Sequence, residues 1–366
     1  MRRIPITMVT PDMILARDIW GRNGLLLAKG IDNLVSYREK LINNGIATLY
    51  IEDELSDDIE GTDEFCDKVR TKCSDVLSET ISKANKSGAV DMKNVDTIVS
   101  SIMKELFANS EMLLNLSDIS MSSSVTLQHS IDATIYALFI CKLCNMNDRQ
   151  MQIVGKGTLL HDIGKIALDQ DVLYKNGYLS DEERKHVEKH AQWGFRILEE
   201  NDGVESSAKE IALLHHERLD GTGYPYKLKG KDIPLFPRLV AVADVYDALT
   251  SERCYKPAMS NEKAIDILCE DAKNSKLDCE LVDVFTSKLA VYPNGIVVLL
   301  NNGEPAIVKQ QNKGDTRRPV VRIIDFKNKS AYAKRDCDLT YERDLSIVKS
   351  NIKISDLPDT MKRQFA

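Results

Sequence analysis

All six histidines of the chain lie between residues 129 and 216, inside a block whose apolar spacing is helical from about 120 to 290. Imidazoles strung along successive helices can act together only if the fold brings them to one place, so a helical domain is the first constraint on this sequence. The sharpest stretch in that block is His215 to Pro225, which reads His-His-Glu-Arg-Leu-Asp-Gly-Thr-Gly-Tyr-Pro. Two adjacent imidazoles at the end of an apolar helical pattern, followed at once by a glycine-rich loop, are costly for a fold that only needs to pack. They point to a metal site.

The remaining ligands have to come from elsewhere in the block. The spacing predicts helices over Ser123–Asn145, carrying His129, and over Arg149–Gly164, carrying the pair His161-Asp162. A third helix starts at Ser180, where Ser180 and Glu183 have capping-box spacing, and leads to His190. A second such box, Ser207 with Glu210, opens the helix that ends in His215 and His216. Beyond the loop, Pro237–Ser251 reads as helix and carries Asp244, and more helix follows over Asn261–Ala290. Five neutral imidazoles (His129, His161, His190, His215, His216) and two carboxylates (Asp162, Asp244) are too many donors for one cation. They suit two cations with one carboxylate between them, an arrangement that activates water and stabilises charge in phosphoryl displacement.

Each residue also has a plainer reading. A single histidine on a helix, such as His129, is usually a satisfied core residue, and His186 among Arg184, Lys185 and Lys189 belongs to a solvated face. Lys165, four residues after His161, is either a helix-end lysine or a phosphate contact on the same face. Gly221 and Gly223 open backbone conformations that a tight turn alone would also use, and Pro225 stiffens the exit. Asp244 and Asp247 share a helical face, and Arg253 and Lys256 follow it, as helix-end cations or as clamps on a nucleotide phosphate.

Together these residues resemble the HD-GYP family, a branch of the HD-domain phosphohydrolases. His161-Asp162-Ile163-Gly164-Lys165 matches the HD motif and His215 to Pro225 the extended HHExxDGxGYP motif. Gln128-His129-Ser130, His190 and Ala243 to Lys256 match the flanking segments. The resemblance spans about 120–290 and implies an all-helical HD domain that hydrolyses the bacterial second messenger cyclic di-GMP to pGpG, in some members onward to GMP. By that resemblance, His129, His161, Asp162 and Asp244 hold one metal, and Asp162 bridges to a second held by His190, His215 and His216. Iron and manganese are the expected metals. Lys165, Arg253 and Lys256 resemble phosphate contacts, and Gly223, Tyr224 and Pro225 form the loop beside the site. Asp162, Lys165 and Asp247 are the candidate catalytic groups, a metal-bridged hydroxide attacking phosphorus while Asp247 or Lys165 protonates the leaving oxygen. Family members with three metals carry glutamate four residues before the histidine matching His129; Val125 stands there, so two metals are expected. The alternative reading is a receptor that binds a cyclic dinucleotide without turnover.

Outside the block, residues 1–55 combine short strand patterns with a helix over Leu34–Ile42, a small α+β module. The acidic run Glu52–Glu64 reads as a linker. Residues 64–118 are helical, with Val95, Ile98, Ile102 and Leu106 on one face, open either to the next domain or to a second copy as a homodimer contact. Residues 291–366 read as a small β-unit, with strands over Ile296–Leu300, Ala306–Val308 and Val320–Ile324 and a turn at Asn301-Asn302-Gly303. The expected fold is therefore mainly α. Net charge of -7 disfavours nucleic-acid polymers as partners. No apolar run is long enough for a membrane span or a secretory signal, so a cytoplasmic location and reduced cysteines are expected. Cys141 and Cys144 sit in an apolar helical run and read as core.

Overall fold

The structure is a computed structural model that describes residues 1–21, 24–44, 46, 48–60, 67–108, 125–173, 175, 177–251, 259–312, 314–324 and 334–350. It divides into two compact units. One comprises Met1–Asp67, Glu111–Ser122 and Ser287–Ala366, the other Lys68–Ser110 and Ser123–Thr286.

The first unit is built on antiparallel strands. Its N-terminal part contains β1 (Arg2–Pro5), β2 (Ile14–Leu15), a hairpin of β3 (Ile19–Gly21) and β4 (Gly24–Leu27), and β5 (Thr48–Glu52). β5 lies between β1 and β2. The stretch expected as one helix is a 3-10 turn over Leu34–Tyr37 that continues as α1 (Arg38–Asn43). Its buried Leu34 and Leu41 join Ile4, Ile6, Leu15 and Ile51 in a common core. The C-terminal part is a five-stranded sheet of β6 (Val297–Leu300), β7 (Pro305–Gln310), β8 (Val320–Ile324), β9 (Lys334–Asp338) and β10 (Ile347–Ser350), in the order β10-β6-β7-β8-β9. The Asn301-Asn302-Gly303 turn joins β6 to β7, with Gly303 at a φ of +83° that a residue bearing Cβ rarely adopts.

The described part of the acidic run is packed instead of forming a free linker. Asp58 Oδ2 accepts from Nη2 of Arg322 on β8 at 2.8 Å, and Ile59 packs on Ile307. Arg322 is 2% exposed and also donates from Nε to Asp336 at 2.8 Å. A buried guanidinium is tolerable only when its charge is paired in this way. Residues 61–66 lie outside the described residues.

The second unit is all helical: α2 (Asp67–Ser87), α3 (Met92–Ala108), α4 (Val125–Leu143), α5 (Asp148–Leu159), α6 (Gln170–Leu173), α7 (Asp181–Glu188), α8 (His190–Glu199), α9 (Ser206–Leu214), α10 (Leu235–Thr250), α11 (Asn261–Lys273) and α12 (Cys279–Thr286). α4 is the central element, buried on every side from Ser130 to Cys141 and flanked by α5, α10 and α12. Cys141 is part of that core. The Val95, Ile98, Ile102 and Leu106 stripe of α3 is buried, with α3 packed on α5 and α4 of the same unit, which settles its covering in favour of this chain. The fold is mainly α, as its helical periodicity implies. No helix among the described residues is long and apolar enough to cross a membrane.

Three expected helices differ. The one over Arg149–Gly164 ends at Leu159, because the chain tightens through His161 and Asp162 into a 3-10 turn over Ile163–Ala167. The Ser180–Glu183 capping box forms, but the one at Ser207 does not: α9 starts at Ser206, which leaves Ser207 inside the helix, and no side chain caps its N-terminus. The Asn261–Ala290 helix breaks between α11 and α12, where Ser275 takes a φ of +55°.

Candidate metal centre

The seven donor residues lie on five separate pieces of backbone. His129 is on α4, His161 and Asp162 follow α5, His190 opens α8, His215 and His216 follow α9, and Asp244 is on α10. Close backbone packing brings two of these pieces together. A Cβ on Gly164 would fall on the carbonyl of His190 and lie 2.5 Å from Gly194 N, so only glycine lets the turn after Asp162 seat on the start of α8.

The donor atoms converge in two adjoining groups, Asp162 with His190, His215 and His216, and His129 with His161 and Asp244. Asp162 lies between them. Its Oδ2 is 3.6 Å from Nε2 of His129 and 3.5 Å from Nε2 of His161, while its Oδ1 is 3.4 Å from Nε2 of His190. Asp244 also spans both, with Oδ1 3.1 Å from His129 Nε2 and Oδ2 3.8 Å from His216 Nδ1. Five imidazoles and two carboxylates at these separations form a donor set for borderline divalent cations.

Backbone carbonyls fix three of the rings. Nδ1–H of His161 donates to Thr158 O at 2.6 Å, that of His190 to Val187 O at 2.7 Å, and that of His215 to Ala212 O at 3.0 Å. This tautomer turns the lone pair of each Nε2 inward, as in ligating histidines. Burial also holds His161, His190, His215 and His216 below the ordinary imidazole range, so they are neutral donors. Burial disfavours the charge on Asp162, but the Lys165 ammonium beside it overcomes this and keeps the carboxyl well below its usual range. Asp244 behaves in the same way beside His129, whose ring bonds it.

The fit to metal is tested by the atoms left over. Oδ1 of Asp162, Nε2 of His190 and Nε2 of His215 are buried and hydrogen-bonded to nothing in the protein. Three such orphans at one spot would each carry a desolvation cost unless a ligand satisfies them. A cation does so for all three at once, and the cluster can bind metal.

His129 differs from the other four. Burial opposes its charge, yet Asp244 and Asp247 on either side push its pKa up to about 10. Its Nδ1 lies 2.5 Å from Asp247 Oδ2, and Asp247 also accepts from Ser251 Oγ at 3.0 Å. Asp247, 1% exposed, thus sits behind the imidazole, on its Nδ1 side. Lys165 bonds Asp162 Oδ2 from the 3-10 turn and keeps 22% of its side chain exposed, at the edge of the centre. His186 is apart from the cluster, edge-on to Trp193.

The glycine loop closes one side. The Tyr224 ring lies 4.6 Å from that of His216, and the Tyr224-Pro225 peptide is cis. A Cβ on Gly223 would come within 2.5 Å of the His216 carbonyl oxygen, so this glycine serves the close passage of backbone over backbone. Glu217, absent from the sequence-level candidates, is buried and accepts from Tyr226 N at 2.7 Å and Leu228 N at 3.0 Å, which fixes the loop's return. Its place beside the histidine pair was the available signal. Arg253 and Lys256, and the side chain of Val125, lie outside the described residues.

A family model described as HD domain matches residues 108–281. The chain is 32% identical over 241 residues to cyclic di-GMP phosphodiesterase PA4108 of Pseudomonas aeruginosa, covering 66% of this chain and 58% of that protein. It is 45% identical over 141 residues to a cyclic di-GMP phosphodiesterase of Vibrio cholerae, covering 37% of this chain and 28% of the relative. A 3'3'-cGAMP-specific phosphodiesterase 2 of Vibrio cholerae is 35% identical over 155 residues, covering 42% of this chain and 30% of the relative. The chain therefore spans less than two thirds of the length of these curated relatives. Among solved structures, Bd1817, described as a HDGYP protein from Bdellovibrio bacteriovorus, shares the fold with a TM-score of 0.50 at 16% identity, over 77% of this chain and 97% of that one.

Proposed function

We propose, from the match of residues 108–281 to the HD-domain family model, that the chain is a metal-dependent phosphodiesterase that opens cyclic di-GMP to pGpG. The observation that carries this reading is the convergence of seven donor side chains in two adjoining groups, with three buried atoms that no protein group satisfies. In this reading His129, His161 and Asp244 would hold one cation and His190, His215 and His216 the other, with Asp162 available to both. Iron and manganese both suit these nitrogen and oxygen donors. Bound there, a metal pair would supply an activated water and stabilise charge on the phosphoryl oxygens.

The chain's own residues do the rest. The carbonyls of Thr158, Val187 and Ala212 orient three imidazoles, and Asp247 orients His129. Lys165, partly exposed beside Asp162, is the described cation best placed to meet a phosphate oxygen as negative charge grows there. Tyr224 and Glu217 hold the loop against the histidine pair.

Two relatives named for cyclic di-GMP and one named for 3'3'-cGAMP frame the substrate class, and the experiment offers both dinucleotides. Protein purified without oxygen and loaded with manganese is incubated with each, and products are separated by chromatography. The proposal expects linear pGpG from cyclic di-GMP, and none from an Asp162→Ala variant. Tight binding with the ring left intact would make the chain a receptor; turnover of 3′,3′-cGAMP alone would move the substrate within the class.

A further inference from the structure

The helix that carries His129 gives few clues to its own rotation. From Ile131 to Cys141 the buried residues of α4 are almost all apolar and cover every face, so apolar packing alone would tolerate neighbouring orientations. One charged group breaks this pattern. Asp132, three residues after His129, is buried, and its Oδ1 accepts from Arg70 of α2 through both Nε at 3.1 Å and Nη2 at 2.6 Å. Gln128, the residue before His129, donates from Nε2 to both oxygens of Asp132 at 3.0 Å. Arg70 is itself 1% exposed.

A buried ion pair is a poor source of stability, since apolar side chains of similar volume often do as well or better. What it supplies is direction. The planar guanidinium and the carboxylate restrict each other's orientation, and the pair sits one helical turn from a metal-ligand candidate. We propose that Arg70 is a positioning residue: through Asp132 it sets the rotation of α4, and so keeps Nε2 of His129 aimed at Asp244 and His161. The inference rests on the metal-centre reading above and adds to it a residue on α2, outside every motif in the sequence.

The test compares wild type, Arg70→Lys and the double variant Arg70→Met/Asp132→Leu, which replaces the pair by apolar groups. Manganese uptake is titrated by the spin-resonance signal of the free ion, with melting temperature and steady-state hydrolysis of cyclic di-GMP alongside. The double variant should melt at or above the wild-type temperature and bind one of two ions about 10–100-fold more weakly, the loss typical when a partner that orients a ligand is removed. The other ion should bind as in wild type, with kcat reduced and KM nearly unchanged. Arg70→Lys, which keeps the charge without the fork, should fall between. The proposal is overturned if either variant folds and binds both ions with wild-type affinity. It is also overturned if the double variant fails to fold, because the pair would then serve stability. A wild-type protein that takes up no manganese would instead remove the metal-centre reading itself.

Discussion

At the scale of single residues, the account turns on which groups touch the cations and which only aim those that do. Asp162 faces both donor groups, so Asp162→Ala should abolish metal retention and hydrolysis together; full activity in that variant would remove the bridging assignment. Asp247 acts from behind. Replacing it by asparagine keeps the shape but removes the charge that orients His129, and should weaken metal binding or kcat by about 10–100-fold without altering the fold. The pH dependence of the metal-free protein follows from the same site and has two signs. His161, His190, His215 and His216 are held neutral by burial, so stability falls as pH drops below the ordinary imidazole value near 6.5. His129 is raised to about 10, so the stability from its ion pairs is fully present below 6.5 and is lost as pH rises through 10. Thermal melts of metal-free protein should therefore peak near neutrality, and metal uptake should release a proton and tighten as pH rises from 7 toward 10. Melts that stay flat from pH 7 to 10 would contradict the charged state assigned to His129.

At the scale of elements, the centre depends on backbones that approach closely. Gly164→Ala would set a Cβ on the His190 carbonyl and push the start of α8 from Asp162, at a cost of roughly 1–3 kcal/mol or more in stability. Calorimetry should show that loss together with weaker metal binding, whereas Gly30→Ala, where a Cβ meets open space, should leave metal binding unchanged. The seven donors were legible in the sequence because each stands in a motif or a helical pattern, and their residue types carry the chemistry with them. The supporting parts were not. Asp247 was visible as a carboxylate three residues from Asp244, but only the packing of α10 on α4 reveals that it faces the back of the His129 ring. Glu217 reads as one more loop acid until its two backbone donors are seen. No glycine or proline directly follows Leu159 to announce the end of α5, since Gly155 and Gly157 lie inside the helix, and the Ser207 box is lost because that serine falls within the first turn of α9. Propensity is a weak guide wherever tertiary contacts set the boundary.

At the scale of the molecule, the helical unit gathers its ligands from α4, α10 and the ends of α5, α8 and α9, so the cations would join elements distant in sequence. Binding to the folded state alone stabilises it by mass action, about 2.7 kcal/mol when free metal is 100 times its dissociation constant. Chelation should accordingly lower the melting temperature, and manganese should restore it. Strands β6, β7 and β8 were legible from their patterning, but β9, β10 and the pairing of Arg322 with Asp58, 264 residues apart, were not. The most direct measurement of the central claim is the metal content of the intact chain, purified without oxygen and quantified by elemental mass spectrometry beside Asp162→Ala. The account predicts two divalent ions per wild-type chain and their loss in the variant. A folded wild-type chain that carries none, or a variant that keeps both, would contradict it.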